Sequence, residues 1–235
     1  MAALASDFPI ALKFPSLRAQ EIIERPPADA QSIAAVVPDV QADRGNELML
    51  ALQRGDTAAL RLLVDLYNQK LFTFIVRMIG DAPATEDIVQ ETWLSLYQRR
   101  SSYTPTHRFS TWLFTIARRK ALSELRRRKV RSMVRSMTSE RDGETRQFET
   151  PQGTFAAPDA CADGAIVSVM VERALERLSP QQREIVLLRD VEGFDNEEIA
   201  RILEWSIRPG AVRKRVFDAR EAFRRAMLEL GYLEH

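Results

Sequence analysis

The residues of this sequence best suited to bind a ligand are cations placed next to aromatic side chains between positions 101 and 120. Single-stranded nucleic acid binds to such a combination, because bases stack on rings at roughly 1–3 kcal/mol each while phosphates follow the cations. A planar ring such as Trp112 can also replace a base neighbour that is lost when a duplex opens. A single ring is more often a core residue, so the prediction depends on the cluster as a whole. The candidate set is Tyr103, Arg108, Phe109, Trp112, Arg118, Arg119 and Lys120.

A second group of cations lies near the C-terminal end, on a segment whose apolar residues recur every three or four positions. This spacing predicts an amphipathic helix with one face to bury and one cationic face to present. A short capped helix and a turn precede it, and in a helix-turn-helix the early residues of the second helix reach base edges in the major groove. A solvated basic surface helix is the alternative. The candidate residues are Arg208, Arg213, Lys214, Phe217 and Arg220.

A third group is acidic and amidic. Asp87, Gln90 and Glu91 are spaced so that they share one face of a predicted helix. The simplest interpretation is a solvated polar face, and the alternative is a surface that docks another protein.

Charge is strongly segregated along the 235 residues, although the net charge is only +1. Residues 99–135 hold twelve Arg or Lys and one Glu, and residues 208–225 hold seven basic and two acidic residues. Between these blocks, residues 136–207 hold seven basic and fifteen acidic residues. Two separated basic blocks predict two contacts with a polyanion.

Several classes of protein are disfavoured by composition. No apolar run approaches the roughly 20 residues of a membrane span, so no membrane insertion is expected. One cysteine and two histidines predict neither a disulfide framework nor a metal site. No glycine-rich phosphate loop and no nucleophile–base pair is visible, so we expect no catalytic residue and no cofactor. A reducing, cytoplasmic location is the default expectation.

The elements that position these residues are predicted to be helices throughout, in two small domains. Residues 1–45 contain five prolines and are interpreted as a weakly ordered extension. Residues 46–135 form the first domain, residues 136–164 a flexible linker and residues 165–235 the second domain. Because the tether is flexible, the two nucleic-acid contacts are not expected to be held at a fixed spacing in the free chain.

Helix ends are marked by local signals. Asp56 is a predicted N-cap for a helix that ends at Ile79, with Gly80 after it. Ser110 is a predicted cap for the long basic helix. In the second domain, Ser179 and Pro180 are predicted as N-cap and first helical residue, and Asp195 is predicted to form a capping box with Glu198. The last helix is predicted to run from Gly210 to Leu230.

Two pairs of segments resemble one family when taken together. Residues 84–98 and 109–128 resemble region 2 of the sigma-70 family, and residues 175–203 and 211–221 resemble its region 4. Their order and the linker between them resemble the extracytoplasmic-function (ECF) group, which has only these two regions. The resemblance implies a bacterial promoter-specificity subunit that binds core RNA polymerase and promoter DNA.

Roles for individual residues follow from the resemblance. Asp87, Gln90 and Glu91 fall on the face that docks the β′ coiled coil of the core enzyme, and the β subunit is a further implied contact. Trp112 falls on the wedge position at the upstream edge of the melted −10 element, and the loop 101–108 on the segment that captures a flipped-out base. Arg213, Lys214 and Phe217 fall on positions of the region 4 recognition helix that read the −35 element. ECF factors are commonly held by an anti-sigma factor, which is therefore another implied partner.

This chain departs from the family pattern at three places. Arg119 stands where the family often has Asn, and Asp218 stands where it often has Arg. The turn from Glu204 to Gly210 is longer than usual. We therefore expect unusual base preferences. Two alternatives remain beside the sigma-factor interpretation: a stand-alone helix-turn-helix regulator, and a helical RNA-binding or scaffolding module.

Overall fold

The computed structural model describes residues 43–139 and 162–231, and these ranges contain helices and no strand. The predicted all-α class is confirmed. Helices of the first domain are α1 (Arg44–Gln53), α2 (Ala58–Ile79), α3 (Ala82–Gln98) and α4 (Phe109–Ser139), with a 3-10 turn at Arg100–Ser102. Helices of the second domain are α5 (Ala162–Glu176), α6 (Pro180–Val186), α7 (Asn196–Ile202) and α8 (Pro209–Glu229), with a π-helical turn at Leu187–Val191 after α6.

Most of the predicted extension (1–45) and of the predicted linker (136–164) lies outside the described residues. At the edges of both, helices reach further than expected. Helix α1 begins at Arg44, and α4 continues to Ser139. Within residues 43–139 and 162–231, no helix combines the length and the apolar character needed to cross a bilayer.

Local capping signals account for most helix ends. Gly80 ends α2 in the left-handed conformation at φ 68°, as predicted. Both predicted N-caps of the second domain are confirmed. Ser179 forms a capping box with Gln182 at the start of α6, and Asp195 forms one with Glu198 at the start of α7. These caps satisfy backbone N–H groups that the first turn of each helix leaves without a partner.

Two predicted caps are wrong. Thr57, and not Asp56, is the N-cap of α2, although the Asp56 carboxylate still accepts from the backbone N–H of Ala58 at 3.0 Å. Ser110 lies inside α4, where its hydroxyl oxygen is buried with no hydrogen-bond partner. The N–H of Phe109 instead donates to Asp43, a residue distant in sequence, at 3.0 Å.

Asp43 caps two helices at once. One carboxylate oxygen accepts from the N–H of Gly45 in α1 at 3.2 Å, and the other accepts from Phe109 in α4. The two helix starts approach closely because residue 45 has no side chain. A Cβ there would lie 2.9 Å from Phe109 and 2.7 Å from the Tyr67 hydroxyl, inside normal contact distance.

The first domain packs α1, α2 and α3 against the N-terminal half of α4. Its largest fully buried side chains include Met49, Phe74, Leu96 and Phe114. The second domain packs α6, α7 and the turn between them against α8, around residues such as Leu187 and Leu188. The later part of α4 leaves the core, since Val130 and Met133 are more than half exposed.

The two domains lie against each other, with α4 of the first facing α7 of the second. The ring of Phe114 packs edge-on against Phe194, and buried residues of both domains form one continuous cluster. The sequence predicted two domains on a flexible tether, and the structure places these domains in contact. The contact is an interface of apolar and oppositely charged residues, which periodicity within single helices does not reveal.

Candidate nucleic-acid interface

The loop 101–108 is fastened to the first domain by side chains of α1. The amide of Gln53 donates to the carbonyl oxygens of Arg100 at 2.6 Å and of Tyr103 at 2.8 Å. The Tyr103 hydroxyl donates to Asn46 inside the core. Burial raises the pKa of Tyr103 well above its usual value, so the phenol stays protonated and keeps this bond. The loop is thus held in a defined position beside α4.

Trp112 is the aromatic residue of this surface that remains partly exposed. Its ring lies 4.9 Å from that of Tyr103 and 6.3 Å from that of Phe109, measured between centroids. Tyr103 is 5% exposed and Phe109 is fully buried against Tyr67. The expected stacking of bases on Tyr103 and Phe109 is therefore corrected, because neither ring offers a face to a ligand here. Both rings instead pack against Trp112 and fix its orientation.

A pocket of about 200 Å³ opens beside Trp112. The loop and the first turns of α4 line most of it, and Arg201 of α7 contributes from the second domain. Loss of solvent, together with the positive charge of Arg201, lowers the pKa of His107 at the pocket wall. The loop that was predicted to capture a base and the ring that was predicted to act as a wedge therefore share one cavity.

Each predicted cation of this surface is paired with a carboxylate. Arg108 lies 3.6 Å from Glu198, and Arg118 donates to Glu184 at 2.8 Å. Arg119 donates through Nε to Glu204 at 3.0 Å. These three acids belong to the second domain. The fourth cation, Lys120, pairs with Glu91 of α3 at 3.1 Å. Arg119 does not line the pocket of Trp112, because it lies two turns further along α4 and faces the groove between α3 and α4.

That groove has a volume of about 910 Å³ and is walled by acids of α3 and bases of α4. Asp87, Gln90 and Glu91 are exposed on one face of α3, as their spacing predicted. Leu94 continues the same face and is 57% exposed, which sequence analysis missed. An apolar residue one turn after Glu91 at a position that should face solvent was the signal for it.

The exposed face of α8 presents Arg213, Lys214 and Phe217 together. Phe217 is 58% exposed, an unusual position for a phenyl ring unless it contacts a partner. Lys214 pairs with Asp218 at 3.1 Å. Arg220, another of the predicted DNA-binding residues, is only 25% exposed and lies 3.0 Å from Asp190 in the turn after α6. Its position favours bracing α8 over binding DNA.

One contact of this helix was not predicted. The guanidinium of Arg215 lies over the ring of Trp205 at 4.8 Å, which is cation–π geometry. Trp205 belongs to the long turn before α8, so this contact ties the turn to the helix. Arg208, at the N-cap of α8, lies exposed at the end of that turn.

Comparison with known proteins identifies both domains. Residues 63–131 match the family model of Sigma-70 region 2, and residues 168–223 match that of Sigma-70, region 4. The RNA polymerase sigma-H factor of Pseudomonas aeruginosa is 30% identical over 188 residues, which cover 80% of this chain and 96% of that protein. The chain belongs to the ECF group of the sigma-70 family.

Other relatives agree with this assignment. The ECF RNA polymerase sigma-E factor of Escherichia coli is 31% identical over 183 residues, covering 74% of this chain and 90% of that protein. The structure of CnrH in complex with the cytosolic domain of CnrY has the same fold, with a TM-score of 0.55 at 21% identity and coverage of 80% and 99%. The sigma factor RpoE of Bartonella quintana, solved with the anti-sigma factor NepR, gives 0.54 at 24%, with coverage of 71% and 94%.

In this ECF sigma factor, the first domain is therefore region 2 and the second is region 4. The charge blocks of the sequence correspond to these regions. The basic block 99–135 forms the loop and α4 of region 2, and the acidic stretch before residue 208 includes α6, α7 and their turns in region 4. Region 4 carries its own cations on α8, the second helix of the helix-turn-helix, which follows α7 and the turn.

Proposed function

We propose that this chain binds core RNA polymerase and directs promoter-specific transcription initiation. The observation that carries the proposal is the presence, in one chain, of a region 2 and a region 4 at 30% identity to a sigma factor over 80% of the sequence. Catalysis belongs to the core enzyme in this proposal, so the chain itself needs neither an active site nor a cofactor. The role is a cytoplasmic one, because the chromosome and the polymerase are there.

In region 2, the proposed −10 contact is the pocket beside Trp112. The wedge ring stacks on the base pair that remains at the upstream edge of the opened segment, and the loop 101–108 receives a flipped-out base. Opening a duplex step costs a few kcal/mol, which stacking and base capture offset. Arg108, Arg118, Arg119 and Lys120 are the proposed cations for the separated strand. Tyr103 and Phe109 act indirectly, by holding Trp112 in place.

In region 4, the proposed −35 contact is the exposed face of α8. Arg213 and Lys214 lie in its early turns, where a recognition helix reaches base edges. Arg can donate two hydrogen bonds to guanine, and the exposed ring of Phe217 suits the methyl group of thymine. Asp218 and its pair Lys214 form a unit that accepts as well as donates, which supports a −35 preference of its own. Arg208 is a proposed phosphate contact.

The proposed core-docking surface is the face of α3 that carries Asp87, Gln90, Glu91 and Leu94. An apolar residue beside two acids suits a helical partner with a basic and apolar surface, such as the β′ coiled coil that the family uses. Glu91 is bonded to Lys120 of α4, so docking on α3 is linked to the cation set of the −10 surface.

Run-off transcription tests the proposal directly. Bacterial core polymerase, the purified full chain and fragmented genomic DNA are incubated with nucleotides, and the 5′ ends of the transcripts are sequenced. Discrete starts that share a two-part upstream motif, absent without the chain, are the expected result. Duplex binding by the chain alone, without core-dependent initiation, would instead favour a stand-alone regulator.

A further inference from the structure

The turn between the two helices of the helix-turn-helix is long. Such a turn usually has three or four residues and often contains glycine. Here α7 ends at Ile202 and α8 begins at Pro209, so residues 203–208 separate the two helices. Glu204 takes the left-handed conformation, at φ 57°, that glycine adopts at lower cost. A turn of this length needs contacts of its own to hold one shape, because each ordered residue loses conformational entropy.

The first part of the turn is fixed to the end of α7. The backbone N–H of Glu204 donates to the carbonyl of Arg201 at 3.0 Å, and that of Trp205 donates to the carbonyl of Ala200 at 2.8 Å. These two bonds form a Schellman motif, which closes the C-terminal end of a helix. The side chain of Trp205 is partly buried against the hydrophobic core. Trp205 is therefore held to α7 by its backbone and to the core by its ring.

Arg215 connects this ring to α8. Its guanidinium lies over the Trp205 ring, 4.8 Å from the centroid. In the sequence, Arg215 follows Arg213 by two residues and precedes Phe217 by two. Two residues of an α-helix span about 200°, so the side chains at these positions leave the helix on nearly opposite sides. Arg215 thus contacts the turn, while Arg213 and Phe217 belong to the exposed face proposed to contact DNA.

Arg208 lies between these two anchors. It follows Trp205 by three residues, and it begins α8, where its carbonyl accepts from the backbone N–H of Ala211 at 2.9 Å. Its side chain is exposed. When the turn is held at Trp205, this cation leaves the protein from a defined place. Fixing a cation before binding avoids part of the entropy cost of ordering it on a phosphate.

We propose that Trp205 and Arg215 are positioning residues for −35 recognition, which hold Arg208 at a phosphate of the DNA backbone without contacting DNA themselves. The inference rests on the proposed function, since it concerns how region 4 binds the −35 element. Phosphate contacts fix the position of a recognition helix but carry no base information. The pair therefore contributes to the affinity for DNA and to its salt dependence, whereas Arg213 contributes to base choice.

Promoter binding by the holoenzyme tests this role. Core polymerase with the full chain is titrated against a fluorescent promoter fragment recovered by the run-off experiment, at several salt concentrations. A shortened fragment ends between the −10 and −35 elements, so it lacks the DNA that α8 contacts. The test variants are Trp205→Ala, Arg215→Gln and Arg208→Ala, and each of the first two is also combined with the third. Arg173→Gln is the charge control, since it removes an exposed arginine from α5, elsewhere in region 4.

Trp205→Ala is expected to weaken binding to the full promoter about two- to fivefold. It should also lower the slope of log affinity against log salt by about one, as Arg208→Ala does. Trp205 carries no charge, so this loss of slope reports a cation that has moved away from its phosphate. Arg215→Gln should have the same effect, and neither change should lower the slope further when Arg208 is already alanine.

Conservative variants and the shortened fragment separate positioning from a general defect of the fold. Trp205→Phe keeps a ring and Arg215→Lys keeps a cation, so both should recover most of the affinity and of the salt slope. All variants should bind the shortened fragment as the wild type does, and Arg173→Gln should bind both fragments as the wild type does. Circular dichroism checks that each variant is folded.

Three results would overturn the positioning role: an unchanged salt slope in folded Trp205→Ala, a further loss of slope when either change is added to Arg208→Ala, or equal weakening on both fragments. If Trp205→Ala does not fold, Arg215→Gln with and without Arg208→Ala decides the matter, because a direct phosphate contact of Arg215 would lower the slope a second time. If the wild-type holoenzyme yields no promoter in the run-off experiment, the proposed function fails, and the positioning role fails with it.

Discussion

Phe114 of region 2 and Phe194 of region 4 meet edge to face, with ring centroids 5.0 Å apart and planes inclined at 69°. Both rings are almost fully buried. Four ion pairs also join the two regions, so the interface combines a buried ring contact with charged pairs. The ring contact therefore stabilises the packing of region 4 against region 2.

The ring contact predicts a measurable coupling energy. Phe114→Leu and Phe194→Leu, made singly and together, retain most of the volume but remove the edge-to-face interaction. A double-mutant cycle by urea denaturation is expected to give a coupling of about 0.5–1.5 kcal/mol. Phe74 also packs on Phe114, at 5.3 Å. A cycle of Phe74→Leu with Phe194→Leu is the control, and coupling there as large as in the first cycle would contradict a direct contact between the two rings.

Trp112→Ala is expected to impair promoter opening more than promoter binding. The ring takes no part in the −35 contact, so the closed complex of holoenzyme and promoter should form with nearly wild-type affinity. Stacking lost at one base predicts about a tenfold reduction in open complex, from roughly 1–3 kcal/mol per base. Permanganate reactivity of unpaired thymines measures opening, and gel mobility shift measures binding. Trp112→Phe keeps a ring and should recover part of the opening, whereas equal losses in both assays would count against the wedge.

Docking on core polymerase is expected to depend on the exposed face of α3. Leu94→Ala should weaken binding of the fluorescently labelled chain to core enzyme by about tenfold, because burying a leucine side chain contributes roughly 1.5–3 kcal/mol and alanine loses most of it. Glu91→Ala should weaken it too, and should also release Lys120. Leu66→Ala is the matched control, since this leucine of α2 is exposed to a similar extent on a different helix. If both leucine variants weaken binding equally, the assignment to α3 does not hold.

Because Asp43 caps both α1 and α4, its substitution is expected to lower the free energy of unfolding more than the loss of a single cap would. Asp43→Ala removes an acceptor from both α1 and α4, and each lost cap costs about 1 kcal/mol, so a loss of about 2 kcal/mol in the free energy of unfolding is expected. Asp56→Ala removes one such bond, to Ala58, and should cost about half as much. Chemical denaturation of the full chain measures both. Equal losses would mean that Asp43 supports only one helix.

Sequence reasoning succeeded where the physical cause is local. The capping box of Asp195 with Glu198 and the N-cap Ser179 before Pro180 each involve residues at most three positions apart, so the pattern contains both partners. The cap of α4 was misassigned to Ser110 because its true acceptor, Asp43, lies 66 residues away. No helical period or turn signal reports a bond of that kind.

Predictions for the candidate site were likewise correct where they depended on local spacing and incorrect where they depended on tertiary packing. The spacing of Asp87, Gln90 and Glu91 places them on one helix face, and this was predictable. Tyr103 and Phe109 were predicted to stack on bases, because composition does not distinguish a ring that stacks on a base from a ring that supports it. Charge segregation indicated a polyanion for the basic block. In the folded chain, carboxylates of the acidic block form ion pairs with these cations, as Glu184 does with Arg118. Charge segregation along the sequence does not predict this pairing, because it depends on how the two regions pack.

Stability is expected to fall with rising pH through the titration of Glu192. Burial raises the pKa of this carboxyl from 4.5 to about 7, against the opposing effect of Lys70 and Arg77 of region 2. The folded chain therefore holds a proton that the unfolded chain releases, so this group lowers the free energy of unfolding progressively between about pH 4.5 and pH 7. Glu192→Gln removes that dependence. Relative to wild type, it should be neutral near pH 4.5 and stabilising, on the order of 1 kcal/mol, at pH 8.

Urea denaturation of both proteins across this range measures the difference, which isolates Glu192 from the other titrating groups. His107 has the opposite influence, because its lowered pKa favours the neutral form in the folded chain, and it is unchanged in both proteins. Glu197→Gln, at an exposed position of α7, is the control and should follow the wild-type curve. Parallel curves for wild type and Glu192→Gln would show that solvent reaches the Glu192 carboxylate, and would contradict its burial.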